Sequence, residues 1–317
     1  MGHEMIQRTL ASNGVIPALA LCLAAAPASA QSVEGQAEQR APAAATLDVF
    51  ASTDADDTEV VRTGVNLDWF HAGDDKHRGV RLEKAWFTPL GQNTTGFERV
   101  YLRYADKSAD KAWAAQVGTD SHTVLGSANF AIGQKWRKEV FVERDILETP
   151  RGVTEGIYYT FVGAALDMPL SRRDTLVLVT GVQEFTGDNE RLHLRATYVH
   201  VVKEDWGLTA QLRGRYFRST EPGEFDYFSP RAYAEALPII QMRRFSNGWR
   251  FLVAGGYGAQ RTTGEDWRSA RYANVQASSP VDRPLQFKAS LLYSNTPVGN
   301  GAVYDYLQGS LALTALF

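Results

Sequence analysis

The chain has 317 residues, 44% hydrophobic, 11% aromatic and 22% charged, with 33 Lys and Arg against 36 Asp and Glu. That apolar content excludes a disordered chain, and the near balance of charge excludes a strongly basic nucleic-acid binder. A mean hydropathy of -0.27, with no later run near the roughly 20 apolar residues that a membrane helix needs, excludes a helical-bundle membrane protein.

Residues 1–30 read as a secretory signal. Arg8 lies in a weakly basic start, an apolar stretch follows from Val15 to Leu23, and Ala28-Ser29-Ala30 forms an A-x-A cleavage pattern. Gln31 is then the expected first mature residue. The single cysteine, Cys22, lies inside the apolar stretch and follows Leu21 rather than a small residue, which argues against lipidation. Cleavage would leave no thiol for a disulfide, a metal or nucleophilic chemistry. Residues 31–45 are polar and rich in Ala and Pro, and are expected to form a disordered periplasmic segment.

From residue 46 to 317 the pattern has period two, in runs of about ten residues separated by turn-rich segments. Val61, Thr63, Val65, Leu67 and Trp69 alternate with Arg62, Gly64, Asn66 and Asp68. Leu192, Leu194, Ala196 and Tyr198 oppose His193, Arg195 and Thr197, and Leu208, Ala210, Leu212 and Tyr216 oppose Thr209, Gln211, Arg213 and Arg215. Successive side chains of a strand point to opposite faces, so each run has an apolar side and a polar side. About 16 strands result, starting near Thr46, Asp57, Arg78, Gly96, Lys111, Thr123, Lys138, Gly156, Thr175, Arg191, Trp206, Ser229, Gly248, Ser269, Pro284 and Ala302.

The connections fall into two sets. Lys107 to Asp110, Ser171 to Asp174, Lys203 to Asp205 and Ser246-Asn247 are tight, whereas alternate ones, including Ile146 to Glu155, Ser219 to Phe228 and Arg261 to Trp267, are longer. Short turns at one rim and longer loops at the other fit an all-β, transmembrane, antiparallel up-and-down β-barrel of the bacterial outer membrane. Trp69, Tyr104, Trp113, Tyr198, Trp206 and Trp249 at strand ends suit interfacial aromatic girdles. The last run ends on Phe317, with Leu307, Leu311, Leu313 and Ala315 on its apolar side, as expected of a barrel-insertion signal.

On this register Arg62, Asp68, Arg81, Glu83, Arg99, Arg103, Arg195, Gln211, Arg213 and Arg215 face the lumen. They could line a substrate path with forked donors, or solvate the wall and pair with acidic neighbours. His71 and His77 flank Gly73-Asp74-Asp75, a turn composition rather than a metal site. His122 adjoins Ser121 and Asp120, but adjacent residues do not face one another as a catalytic triad must. With no nucleophile–base pair, phosphate loop or dinucleotide motif, the expectation is a protein without catalysis, cofactor or metal.

Tyr227-Phe228-Ser229-Pro230 opens a late run and is followed, after the next tight turn, by the glycine-rich Ala254-Gly255-Gly256-Tyr257-Gly258. This pairing resembles the C-terminal barrel of exopolysaccharide-export outer-membrane porins: the outer-membrane subunit of cellulose synthase complexes and its poly-N-acetylglucosamine relative. The resemblance implies a 16-strand barrel over residues 46–317 and passive export of a cellulose-like or amino-sugar polymer. The family carries a long array of tetratricopeptide repeats before its barrel, and residues 31–45 are too few for one repeat of about 34 residues. Export would then call on a separate periplasmic scaffold protein and an inner-membrane synthase, besides outer-membrane lipid and the barrel-assembly machinery. Otherwise the substrate is not handed over in that way, or the chain is a small stand-alone relative of another role. A general or small-solute porin, and a plugged structural or adhesive barrel, are the alternative expectations.

Overall fold

A computed structural model describes residues 42–297 and 305–317. The expected signal peptide and most of the segment at 31–45 lie outside the described residues. The first eight strands are β1 (Ala44–Thr53), β2 (Glu59–Gly73), β3 (Lys76–Thr88), β4 (Thr95–Lys107), β5 (Lys111–Thr119), β6 (Val124–Ile132), β7 (Arg137–Ile146) and β8 (Tyr158–Pro169). The second eight are β9 (Asp174–Phe185), β10 (Glu190–Lys203), β11 (Leu208–Ser219), β12 (Ala232–Ser246), β13 (Trp249–Thr262), β14 (Arg268–Ser278), β15 (Leu285–Ser294) and β16 (Tyr306–Leu316). One helical turn, α1 (Pro150–Glu155), interrupts the β7–β8 connection.

Each strand pairs antiparallel with its neighbours in the chain, and β1 pairs with β16 to close the barrel. Closure satisfies the backbone groups that a hydrocarbon environment would otherwise leave unpaired. Ala44 and Ala45, assigned from sequence to the N-terminal segment, already belong to this seam, opposite Leu316 and Ala315. There Ala43 and Phe317 exchange two backbone hydrogen bonds of 2.9 Å, and the Thr46 and Thr314 hydroxyls meet at 2.8 Å on the inner face.

Fifteen strand starts lie within three residues of the sequence expectation, and the sixteenth expected start, Ala302, lies outside the described residues. The expected opening of β12 at Ser229 is corrected to Ala232. Pro230 has no N–H to give a ladder, so pairing begins after it, with the Arg231 carbonyl accepting from the Ser219 N–H.

The face assignment follows the alternation. Leu47, Val65, Leu82, Leu102, Leu212, Val253 and Leu311 point outward and are exposed, as lipid-facing side chains must be in an isolated chain. Trp69, Tyr104, Trp113, Tyr198, Trp206 and Trp249 all lie toward the rim that holds Phe317, where Trp113 stacks on Tyr104 at 4.1 Å. Connections at that rim are short, at 74–75, 108–110, 133–136, 170–173, 204–207, 247–248 and 279–284. The opposite rim holds the three longest, at 147–157, 220–231 and 295–305.

Candidate functional site: the barrel lumen

Inward positions on β1–β4 build a connected ionic network. Arg81 on β3 grips both carboxylate oxygens of Asp48 on β1 (2.5 and 2.9 Å), the Oδ1 of Asn66 on β2 (3.0 Å) and Glu83 (2.7 Å). Glu83 also accepts from Arg99 at 3.2 Å, and Arg99 faces Asp145 of β7 at 3.4 Å. Nearer the short-turn rim, Asp68 accepts from Arg103 at 3.1 Å and meets His71 at 2.9 Å. Two glycines make room for these groups: a Cβ at Gly64 would collide with the Arg81 guanidinium, and one at Gly79 with the Asp68 carboxylate. Such buried pairs depend on each charge meeting a counter-charge, which the shared carboxylates supply here.

A second cluster lies on β11 and β12. Arg213 and Arg215 both donate to Glu235, at 3.0 and 2.7 Å, and Arg215 also reaches the Tyr233 hydroxyl at 3.1 Å. Arg195 of β10 stands opposite Arg215 in the ladder, and Gln211 lies buried on the same face.

Between the two clusters runs a row of inward rings. Phe141 meets Phe161 (5.5 Å between centroids), Phe161 meets His193 (5.1 Å), His193 meets Phe217 (5.5 Å), and Phe217 stacks on Tyr233 (4.9 Å). Arg191 lies over Phe217 at 4.6 Å and over Phe185 at 4.9 Å, a cation on the negative face of each ring.

Two connections, and the described start of a third, fold inward over this wall. From the β7–β8 connection, Glu148 pairs with Arg62 of β2, while Leu147, Val153 and Ile157 are buried. From the β11–β12 connection, the Phe228 carbonyl accepts from Arg191 at 2.5 Å and Tyr227 stacks on Phe185 at 4.3 Å. From the β15–β16 connection, the Pro297 carbonyl accepts from Arg215 at 2.8 Å. The first two are tied together: Asp226 accepts from the Thr149 hydroxyl and from the Arg151 N–H, both at 2.7 Å, at the start of α1. Burial pushes the Tyr227 hydroxyl up to about 12, so it stays protonated beside Glu224.

As a result the two halves of the lumen differ. Toward the long loops the inward residues Gln183, Phe185, Phe217, Ser219, Tyr233 and Glu235 are buried. Toward the short turns the packing is uneven: Asp68, His71, His77 and Gln241 are buried, while inward Val177, Val179, Thr209, Gln286, Lys288 and Ser310 remain partly accessible.

All ten charged or polar residues assigned to the lumen from sequence lie on the inner face. The structure joins Arg81, Glu83 and Arg99 in one network, places Arg103 with Asp68, gives Arg62 to a loop carboxylate, and gathers Arg213 and Arg215 around Glu235. Sequence reasoning missed their partners Asp48, Asp145, Glu148 and Glu235, because cross-strand register decides them. It also missed Arg191 and the aromatic row. The Tyr-Phe-Ser-Pro segment is a loop anchor rather than a strand opening: its Ser229 hydroxyl accepts from the Gly223 N–H at 2.9 Å. The signal that could have revealed the inward fold was apolar residues within long connections, Leu147, Val153, Ile157 and Tyr227.

No protein-family model matches the chain, and no curated protein matches it. Solved structures do. The chain is similar to a structure described as a bacterial polysaccharide outer membrane secretin, with a TM-score of 0.63 and 13% identity over 86% of this chain and 98% of that one. Lower TM-scores relate it to OccAB3 of Acinetobacter baumannii (0.40, 12% identity, 87% of this chain and 98% of that one) and to the outer-membrane OmpT of Vibrio cholerae (0.43, 7%, 87% and 97%). At these identities the likeness is one of fold. The chain is a closed, 16-stranded barrel of the outer-membrane kind.

Proposed function

We propose that this barrel sits in the bacterial outer membrane as a gated, passive conduit for a secreted polysaccharide. The observation that carries the reading is the row of rings from Phe141 to Tyr233 on the inner wall, flanked by forked Arg donors. Sugar rings present apolar C–H faces to aromatic rings and hydroxyls to guanidinium, amide and carboxylate groups, so such a wall suits a hydrated saccharide chain. The similarity to a polysaccharide secretin across nearly that whole structure supports it. In this reading the chain performs no catalytic step, and polymer is handed over by a periplasmic scaffold and an inner-membrane synthase. Arg62, Asp68, Arg81, Glu83, Arg99 and Arg103 set the field and shape of one wall. Arg195, Gln211, Arg213 and Arg215 line the other.

The test is deletion of the gene, followed by assay of surface and secreted polysaccharide. The reading expects polymer to be lost outside the cell and retained in the periplasm; normal surface polysaccharide contradicts it.

A small-solute porin is the second reading, favoured by the helix-bearing connection at 147–157 folded into the mouth. Swelling of proteoliposomes in sugars of graded size separates the two. A porin admits monosaccharides freely with a sharp size cut-off, whereas a closed conduit admits none.

A further inference from the structure

The charge on the lumen wall is not evenly spread. Inward positions on β10–β13 carry Arg191, Arg195, Arg213, Arg215, Arg243 and Arg250, with Glu235 the sole inward carboxylate on those four strands. Beside this wall, beyond β9, β7 and β8 present Glu139, Glu143, Asp145 and Asp167 with Arg137. Across the lumen, β2–β4 present the arginine–carboxylate network around Glu83 and Asp68. The arginines are also ordered along the barrel axis. Arg250 and Arg243 lie on the β12–β13 hairpin at the short-turn rim, where Arg243 bonds through its backbone to Gly207 at 3.0 Å. Arg213 follows on β11, then Arg215 with Arg195 opposite it, and finally Arg191 level with Ser219 beneath the loops. At about 3.3 Å per residue, the path from Gly207 to Ser219 along β11 covers roughly 40 Å, much of the strand's height in the membrane.

We infer that this arginine track makes the conduit selective for an anionic polysaccharide, one bearing carboxylate or phosphate groups. The inference rests on the conduit reading and adds the class of its cargo. A polyanion entering at the short-turn rim would meet Arg243 and Arg250 first and pass from one guanidinium to the next. It would be kept from straying sideways, because the carboxylates of the flanking β7 and β8 repel it. A forked donor that exchanges its wall partner for a carboxylate or phosphate can engage it bidentately. Because the wall partner competes, each contact stays weak enough for a chain to slide. A neutral polymer gains only ring and hydroxyl contacts from that wall, and a cationic one is repelled.

The test is equilibrium binding of fluorescent oligogalacturonate to the detergent-solubilised full-length protein at low ionic strength, beside a cello-oligosaccharide and a chitosan oligosaccharide of equal length. Detergent-solubilised protein exposes the short-turn rim whatever the loops do. The expected result is binding of the polyuronate at least about tenfold tighter than of the neutral oligomer, weakening as salt screens the wall. Arg243→Gln with Arg250→Gln should weaken it about tenfold, while the Arg→Lys pair at both positions, which keeps the charge but loses the fork, should weaken it by less. Equal binding of polyuronate and cello-oligosaccharide overturns the anionic class and leaves the conduit standing. Binding of none of the three overturns both, and preference for the chitosan oligomer reverses the sign of the inference.

Discussion

Glu235 shows how a single side chain holds one wall of the lumen. It is fully buried, neutralises Arg213 and Arg215, and accepts the Tyr233 hydroxyl at 2.9 Å. Glu235→Gln leaves two guanidinium groups buried without a counter-charge, and the expected loss is about 3–5 kcal/mol of barrel stability. Urea unfolding of the protein in lipid vesicles, followed by tryptophan fluorescence, measures it. At the long-loop rim, Asp120 behaves differently. Burial alone would raise its carboxyl, but the N–H groups of His122 and Thr123, both at 3.0 Å, and the Tyr158 hydroxyl at 2.8 Å outweigh burial and hold it below the usual range. A carboxyl depressed in the fold contributes stability that is present above its unfolded pKa, about 3.9, and is lost as pH falls through its lower folded value. Asp120→Asn should therefore remove an acid-sensitive part of the protection at residues 120–123. Hydrogen exchange as a function of pH in wild type and variant checks this.

Among elements, the inward connections determine whether the lumen is open. Those at 147–157 and 220–231 are joined through Asp226 to Thr149 and Arg151, and Arg151 lies over Phe225 at 4.8 Å, so they should move as one lid. Asp226→Ala removes two charge-assisted bonds and should raise channel open probability with little effect on barrel assembly. Planar-bilayer recordings of wild type and variant would show it; unchanged gating would mean the two connections move separately. The strands themselves were legible from sequence, because a period of two both marks a strand and assigns its faces, as in Val61 to Trp69. The lid was not. Its geometry depends on contacts far apart in the chain, such as Arg191 with the Phe228 carbonyl, and a loop sequence carries no period from which to read them. Pairing was hidden for the same reason: Arg215 sits directly opposite Glu235 only once the β11–β12 register is set.

For the whole molecule, closure through β1 and β16 and the outward apolar belt make the fold dependent on the bilayer. Leu311 lies on the lipid face of β16, opposite Val49 across the seam. Leu311→Arg should cost about 2–4 kcal/mol if the site is near the bilayer midplane and much less near an interface, so its folding free energy in vesicles also reports the depth of the seam. Within the belt, a lumen partly accessible toward the short turns and packed beneath the long loops is what the proposed conduit, held shut from one side, requires. On the proposed function, this barrel should conduct once its lid is released. Single-channel conductance of the refolded protein in planar bilayers, comparing wild type with a variant in which Glu148→Gln and Asp226→Ala unfasten the loops, tests it most directly. Small, infrequent openings are expected in wild type, large and long-lived ones in the variant, and block of the open variant by oligosaccharide added from the short-turn side. A correctly folded variant that stays silent would mark the barrel as plugged and rule out the conduit.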